Sequence, residues 1–273
     1  MSVAHCVALE RALAELIRQF QDAPDLFLRE ADLHAAAFAA LEREPLLRAR
    51  YATRDGRWTS LLHRDYPPLL AYELGLMGKD EGGRTKDPQP PSPLLPNLGE
   101  GGPREMRATV HPSSFTLHPY DIVLLDPGFV RAYELKTVAN ADPRCAAELR
   151  ALPPGACPRP LLAAVNLALV DLGEGLKPIP AEVLAELEAD FLALVRSEAD
   201  AERAYMGVFC RHWDVEGPAR LLLRSLERWA AEHRRVSLVF LQAYRDDVGR
   251  VSGGRYFNLW SHMAPLLPPG SYQ

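Results

Sequence analysis

Apolar and polar positions alternate along this chain with two different periods. Near the N-terminus the apolar residues recur at three- and four-residue spacing, which predicts helices over 3–20 and 25–43. In the second, Leu26, Leu33, Phe38 and Leu41 supply apolar positions and Asp25 a capping side chain. Residues 46–66 are mixed, with an Asp55-Gly56 turn before Trp58-Thr-Ser-Leu-Leu-His-Arg-Asp-Tyr66, which predicts a strand ended by Pro67-Pro68. The pattern from 107 to 138 reads as β structure, with strands expected at 107–111, 120–126 and 129–138. A short helix is expected at 142–151, and the apolar run 160–170 is ambiguous. After it a helix (179–198), a strand (205–213), a helix (217–235) and a buried strand (236–244) follow, then a tail punctuated by proline and glycine. Helices, a strand group, and then alternating helix and strand predict an α/β fold, a mixed β-sheet flanked by helices.

Residues 78–103 hold six glycines and six prolines, which predicts a flexible loop within a single domain spanning 1–273. Composition is that of a globular protein, 48% hydrophobic and 25% charged in 273 residues. Without an apolar run of eighteen residues or a signal-peptide pattern, the expectation is a cytoplasmic protein without membrane attachment. The four cysteines form no C-x-x-C pair and read as reduced thiols; Cys210 and His212 read as a core cysteine beside an exposed histidine. A net charge of −5 argues against indiscriminate nucleic-acid binding but leaves room for a local basic groove.

The chemistry concentrates in Tyr120-Asp-Ile-Val-Leu-Leu-Asp-Pro-Gly-Phe-Val-Arg-Ala-Tyr-Glu-Leu-Lys136. Asp126-Pro127-Gly128-Phe129 reads as a type II turn. A hairpin symmetric about the Pro127–Gly128 bond sets Asp121 directly opposite Glu134, and strand alternation puts Lys136 on the same face. Two carboxylates facing each other among apolar residues need a counter-charge, which a hard divalent cation supplies. Lys136 would help neutralise them, or orient or deprotonate a water on that cation.

Pro119-Tyr120-Asp121, a hairpin and Glu134-Leu135-Lys136 together resemble the PD-(D/E)XK nuclease superfamily. Its core runs helix, three strands, helix, strand, and residues 25–245 can be read in that order; the motif itself occupies only 119–137. The resemblance implies a restriction-endonuclease-like fold and metal-dependent hydrolysis of phosphodiester bonds. Asp121, Glu134 and Lys136 would be catalytic. Asp121, Glu134, the Leu135 carbonyl and Asp65, the acid before Tyr66-Pro67, would hold Mg²⁺ or Mn²⁺. Glu30 stands where some members carry a first-helix acid.

Arginine outnumbers lysine 27 to 4, and Arg43, Arg48, Arg50, Arg54, Arg57 and Arg64 cluster with Tyr51 and Trp58. Arg54, Arg57 and Arg64 are therefore candidate phosphate contacts. The expected partner is nucleic acid, DNA before RNA, and a homo-oligomer is compatible with the sequence. The rival expectation is a nucleic-acid-binding or assembly subunit that kept the fold and lost turnover.

Overall fold

The computed structural model describes residues 2–66, 120–139, 160–173, 179–197, 200–212, 218–246, 249–259, 263–267 and 271–272. The loop expected at 78–103, the strand at 107–111 and the helix at 142–151 lie outside them, as do Pro119, Cys145 and Cys157.

Helix α1 (Ser2–Asp22) buries Cys6, Leu9, Leu13, Leu16, Ile17 and Phe20, a stripe at three- and four-residue spacing. The second helix, α2 (Glu30–Arg43), begins later than expected. Residues 24–26 form a 3₁₀ turn, and Asp32, rather than Asp25, caps the start, accepting the N–H groups of Leu28 at 3.1 Å and Arg29 at 2.9 Å. After the short α3 (Pro45–Arg48), β1 (Arg50–Ala52) and β2 (Trp58–Ser60) form a separate antiparallel hairpin. Gly56 turns it at φ 77°, a left-handed conformation that glycine adopts freely. The single strand expected from Trp58 to Tyr66 is thus two, because Leu61 breaks off β2 before β3 (Leu62–Tyr66).

The main sheet holds seven strands in sequence order: β3, β4 (Tyr120–Leu125), β5 (Leu161–Gly173), β6 (Ala201–His212), β7 (Val236–Asp246), β8 (Gly249–Phe257) and β9 (Ser271–Tyr272). The first three pair antiparallel, β5, β6 and β7 are parallel, and β8 returns antiparallel to β7. The ambiguous run 160–170 is therefore a central strand, and the expected tail contains β8.

The largest departure follows β4. The strand expected over 129–138 does not form. Two short helices stand there, α4 (Pro127–Ala132) and α5 (Leu135–Val138). Asp126 accepts the N–H groups of Gly128 at 2.7 Å and Phe129 at 3.0 Å, and Pro127 occupies the first helical turn. An aspartate cap with proline just inside is a helix start, not a hairpin turn.

The parallel strands are joined over the sheet by α6 (Ala181–Arg196) and α7 (Pro218–Glu232). Leu13, Leu16 and Ile17 of α1 line one small cavity with Val165, Leu167, Tyr205 and Phe209 of the sheet, while the Asn166 amide donates to the Asp190 carbonyl of α6. Successive β5 side chains thus meet helices on opposite faces. One hydrophobic cluster runs through all of these elements from Cys6 to Leu267. No helix among the described residues is long and apolar enough to cross a membrane.

Candidate functional site

Asp121 sits on β4, and the strand beside it is β5. Its carboxylate accepts the Leu167 N–H at 2.6 Å, while its own N–H donates to Asn166 Oδ1 at 3.3 Å. From α2, His34 Nε2 approaches to 3.5 Å of the same carboxylate and 3.0 Å of the Leu167 carbonyl. Both neighbours are acceptors, so Nε2 carries the proton. Glu30, one helical turn earlier, lies 3.7 Å from His34.

Asp65 adds a third acid. The pairs Arg64–Ile122 and Tyr66–Tyr120 bracket it against Asp121, and it takes φ 49°, a left-handed backbone unusual for a residue with a Cβ. Burial pushes the Asp121 carboxyl up to about 6. The Leu167 N–H and His34 pull it down, and the charges of Glu30 and Asp65 push it up again. Asp65 and Glu30, two further residues of the expected set, therefore each act on Asp121, and Glu30 and Asp121 both lie beside His34.

Glu134, Leu135 and Lys136 belong to a different assembly. Glu134 is the residue before α5, with Lys136 inside that helix, so neither faces Asp121 across a strand pair. The turn of the β1–β2 hairpin clasps this segment. Arg54 N–H donates to the Tyr133 carbonyl at 2.8 Å, the Arg54 guanidinium to Glu134 at 3.2 Å, and Leu135 N–H to Asp55 at 3.2 Å. Lys136 Nζ lies 3.5 Å from Glu134. The Thr53 hydroxyl, the Leu135 N–H and Arg57 hold the Asp55 carboxyl below its ordinary range. The Glu-x-Lys sequence is thus part of an ion-paired clasp.

The expected Mg²⁺ or Mn²⁺ does not fit these residues. The Leu135 carbonyl is taken by the Ala139 N–H at 2.8 Å, and Glu134 is held by two cations. Among the described residues, no three His, Cys, Asp or Glu side chains converge as a metal-binding group.

The three candidate arginines separate as well. Arg54 holds Glu134 and Arg57 lies 3.5 Å from Asp55, both at the hairpin turn. Arg64 lies over the Phe38 ring, 5.6 Å from its centroid. His34 and Asn166 were absent from the expected set. His34 follows Glu30 by four residues, and Asn166 is the one polar residue within Leu161–Val170. No family model, curated protein or solved structure matches the chain.

Proposed function

We propose that this chain binds nucleic acid on a nuclease-like framework without cleaving it. With α3, the β1–β2 hairpin, α4 and α5 as insertions, the order α2, β3, β4, β5, α6, β6 follows the helix, three-strand, helix, strand order of the PD-(D/E)XK resemblance and supports that framework. One observation carries the loss of turnover. The resemblance needs an acid and a lysine on the strand paired with that of Asp121. Asp121's strand pairs with β5, which offers Asn166, Leu167 and Ala168 beside it, and with β3, which offers Asp65 but no lysine. Asp65 is a second acid, but neither paired strand supplies the lysine that would handle the proton of an attacking water.

The partner is read from Arg50, Arg54 and Arg57, three arginines that one short hairpin of an acidic chain brings together. Fluorescence anisotropy of labelled single- and double-stranded DNA and RNA, titrated with the full chain over a salt series, tests the reading. Binding that weakens as salt rises is expected. No binding to any of the four removes the reading.

Hydrolysis is the second reading, and one observation favours it. Asp121, partly buried beside His34 and acted on by two further acids, has the raised proton affinity that acid–base catalysis uses. Cleavage abolished by Asp121→Asn would establish it.

A further inference from the structure

The β1–β2 hairpin stands outside the main sheet and has two unlike faces. Its register pairs Arg50 with Ser60, Tyr51 with Thr59 and Ala52 with Trp58. Strand alternation therefore gathers Arg50, Ala52, Trp58 and Ser60 on one face and Tyr51 and Thr59 on the other. The Tyr51 face is covered: Arg131 lies over its ring, 5.5 Å from the centroid, and His5 Nε2 lies 3.1 Å from its hydroxyl. Among the described residues nothing covers the Trp58 face. Trp58 is 65% exposed, and across from it stands only the methyl group of Ala52.

The charge around that open indole is positive. Arg50 shares its face, and Arg57 precedes it in the chain. The nearby acids are engaged, Asp55 by Thr53, Arg57 and the Leu135 N–H, Glu134 by Arg54 and Lys136. An exposed indole with one arginine on its hairpin face and another next to it in the chain matches an unstacked base and its phosphates. A duplex offers phosphates but keeps its bases stacked on one another.

We infer that the Trp58 face of the β1–β2 hairpin is a docking site for single-stranded nucleic acid, with Trp58 as the stacking platform and Arg50 and Arg57 as phosphate contacts. This rests on the nucleic-acid reading above and specifies its strand class and surface. The clasp between the hairpin turn and residues 133–135 fixes the platform against the body of the protein, which lowers the ordering cost of binding.

The test is anisotropy of labelled oligo(dT) and oligo(rU) of about fifteen nucleotides, with a duplex of the same length, titrated with the full chain. Trp58→Ala, Trp58→Phe, Arg50→Gln and Arg57→Gln are compared with Arg220→Gln, an exposed residue on α7. Trp58→Ala should weaken single-strand binding about tenfold, and Trp58→Phe should restore most of it. Arg50→Gln and Arg57→Gln should each make the salt dependence shallower by about one phosphate contact. Arg220→Gln should change nothing. The relative strength of oligo(dT) and oligo(rU) tells DNA from RNA. If the wild-type chain binds these probes and Trp58→Ala binds them equally well, or if duplex is bound as tightly as single strand, the docking site is wrong and nucleic-acid binding stands. If the wild-type chain binds none of the probes, both fall together. Circular dichroism of each variant separates lost binding from lost folding.

Discussion

Asp121 and Leu167 are joined by a 2.6 Å hydrogen bond from the Leu167 N–H to the Asp121 carboxylate, across the β4–β5 strand pair. The carboxylate thus takes up a backbone donor of the neighbouring strand, while His34 takes up the carbonyl of the same residue at 3.0 Å. These donors favour the ionised carboxylate, but burial outweighs them and leaves Asp121 holding its proton more firmly than a free aspartate.

That proton makes stability depend on pH. A carboxyl whose affinity is raised in the fold, here from 3.8 to about 6, binds its proton more firmly folded than unfolded. The advantage is complete below the unfolded value and is lost as pH rises through about 6, so ionised Asp121 costs on the order of a few kcal/mol at neutral pH. Asp121→Asn should therefore gain stability relative to wild type as pH increases across that window. Urea unfolding at both ends of it checks this, and an equal loss at both ends would contradict it.

Asp126→Ala should destabilise the protein by about 1 kcal/mol, the usual worth of an N-cap. It removes the acceptor for two N–H groups at the start of α4. The same urea experiment measures it. An unchanged midpoint would show that the β4–α4 junction holds without its cap.

A larger loss is expected at Glu10. This fully buried side chain accepts from Arg203 at 2.5 Å and from the Tyr205 hydroxyl at 2.6 Å, tying α1 to β6. Glu10→Ala leaves the largely buried Arg203 without this partner and should cost about 3–5 kcal/mol. The double variant Glu10→Ala with Arg203→Met should recover part of that loss. Additive losses would mean that the pair is not coupled.

Lys136 is 59% exposed and pairs with a half-exposed glutamate. Lys136→Ala should shift stability by no more than about 1 kcal/mol and leave oligonucleotide affinity unchanged. A large loss of affinity with stability preserved would return Lys136 to the binding surface.

The alternation of helix and strand from 179 onward was legible because long periodic segments with clear breaks carry their own secondary structure. So was the turn at Asp55-Gly56, though not β1 before it, whose three residues are too few to show an alternation. The segment after β4 was misread for a physical reason. Asp-Pro-Gly suits a turn and a helix start alike, and the choice lies in whether the Asp126 carboxylate turns onto the following N–H groups. That one choice moved Glu134 and Lys136 out of the sheet. Leu161–Val170 was ambiguous because a strand covered on both faces loses its alternation. With β5 unassigned, the residues that meet Asp121 could not be found from spacing. Asp121 and Glu30 were legible as acids but not as neighbours of His34, since that juxtaposition comes from α2 lying on the sheet.

The most direct measurement of the central claim is single-turnover incubation, with the full chain in excess over labelled single-stranded DNA and RNA, in Mg²⁺ and in Mn²⁺. Anisotropy read before the products are run on a denaturing gel reports binding and cleavage on the same sample. Bound and intact oligonucleotides, identical for wild type and Lys136→Ala, are the predicted result. Shortened products from wild type that Asp121→Asn or Lys136→Ala abolishes would contradict it.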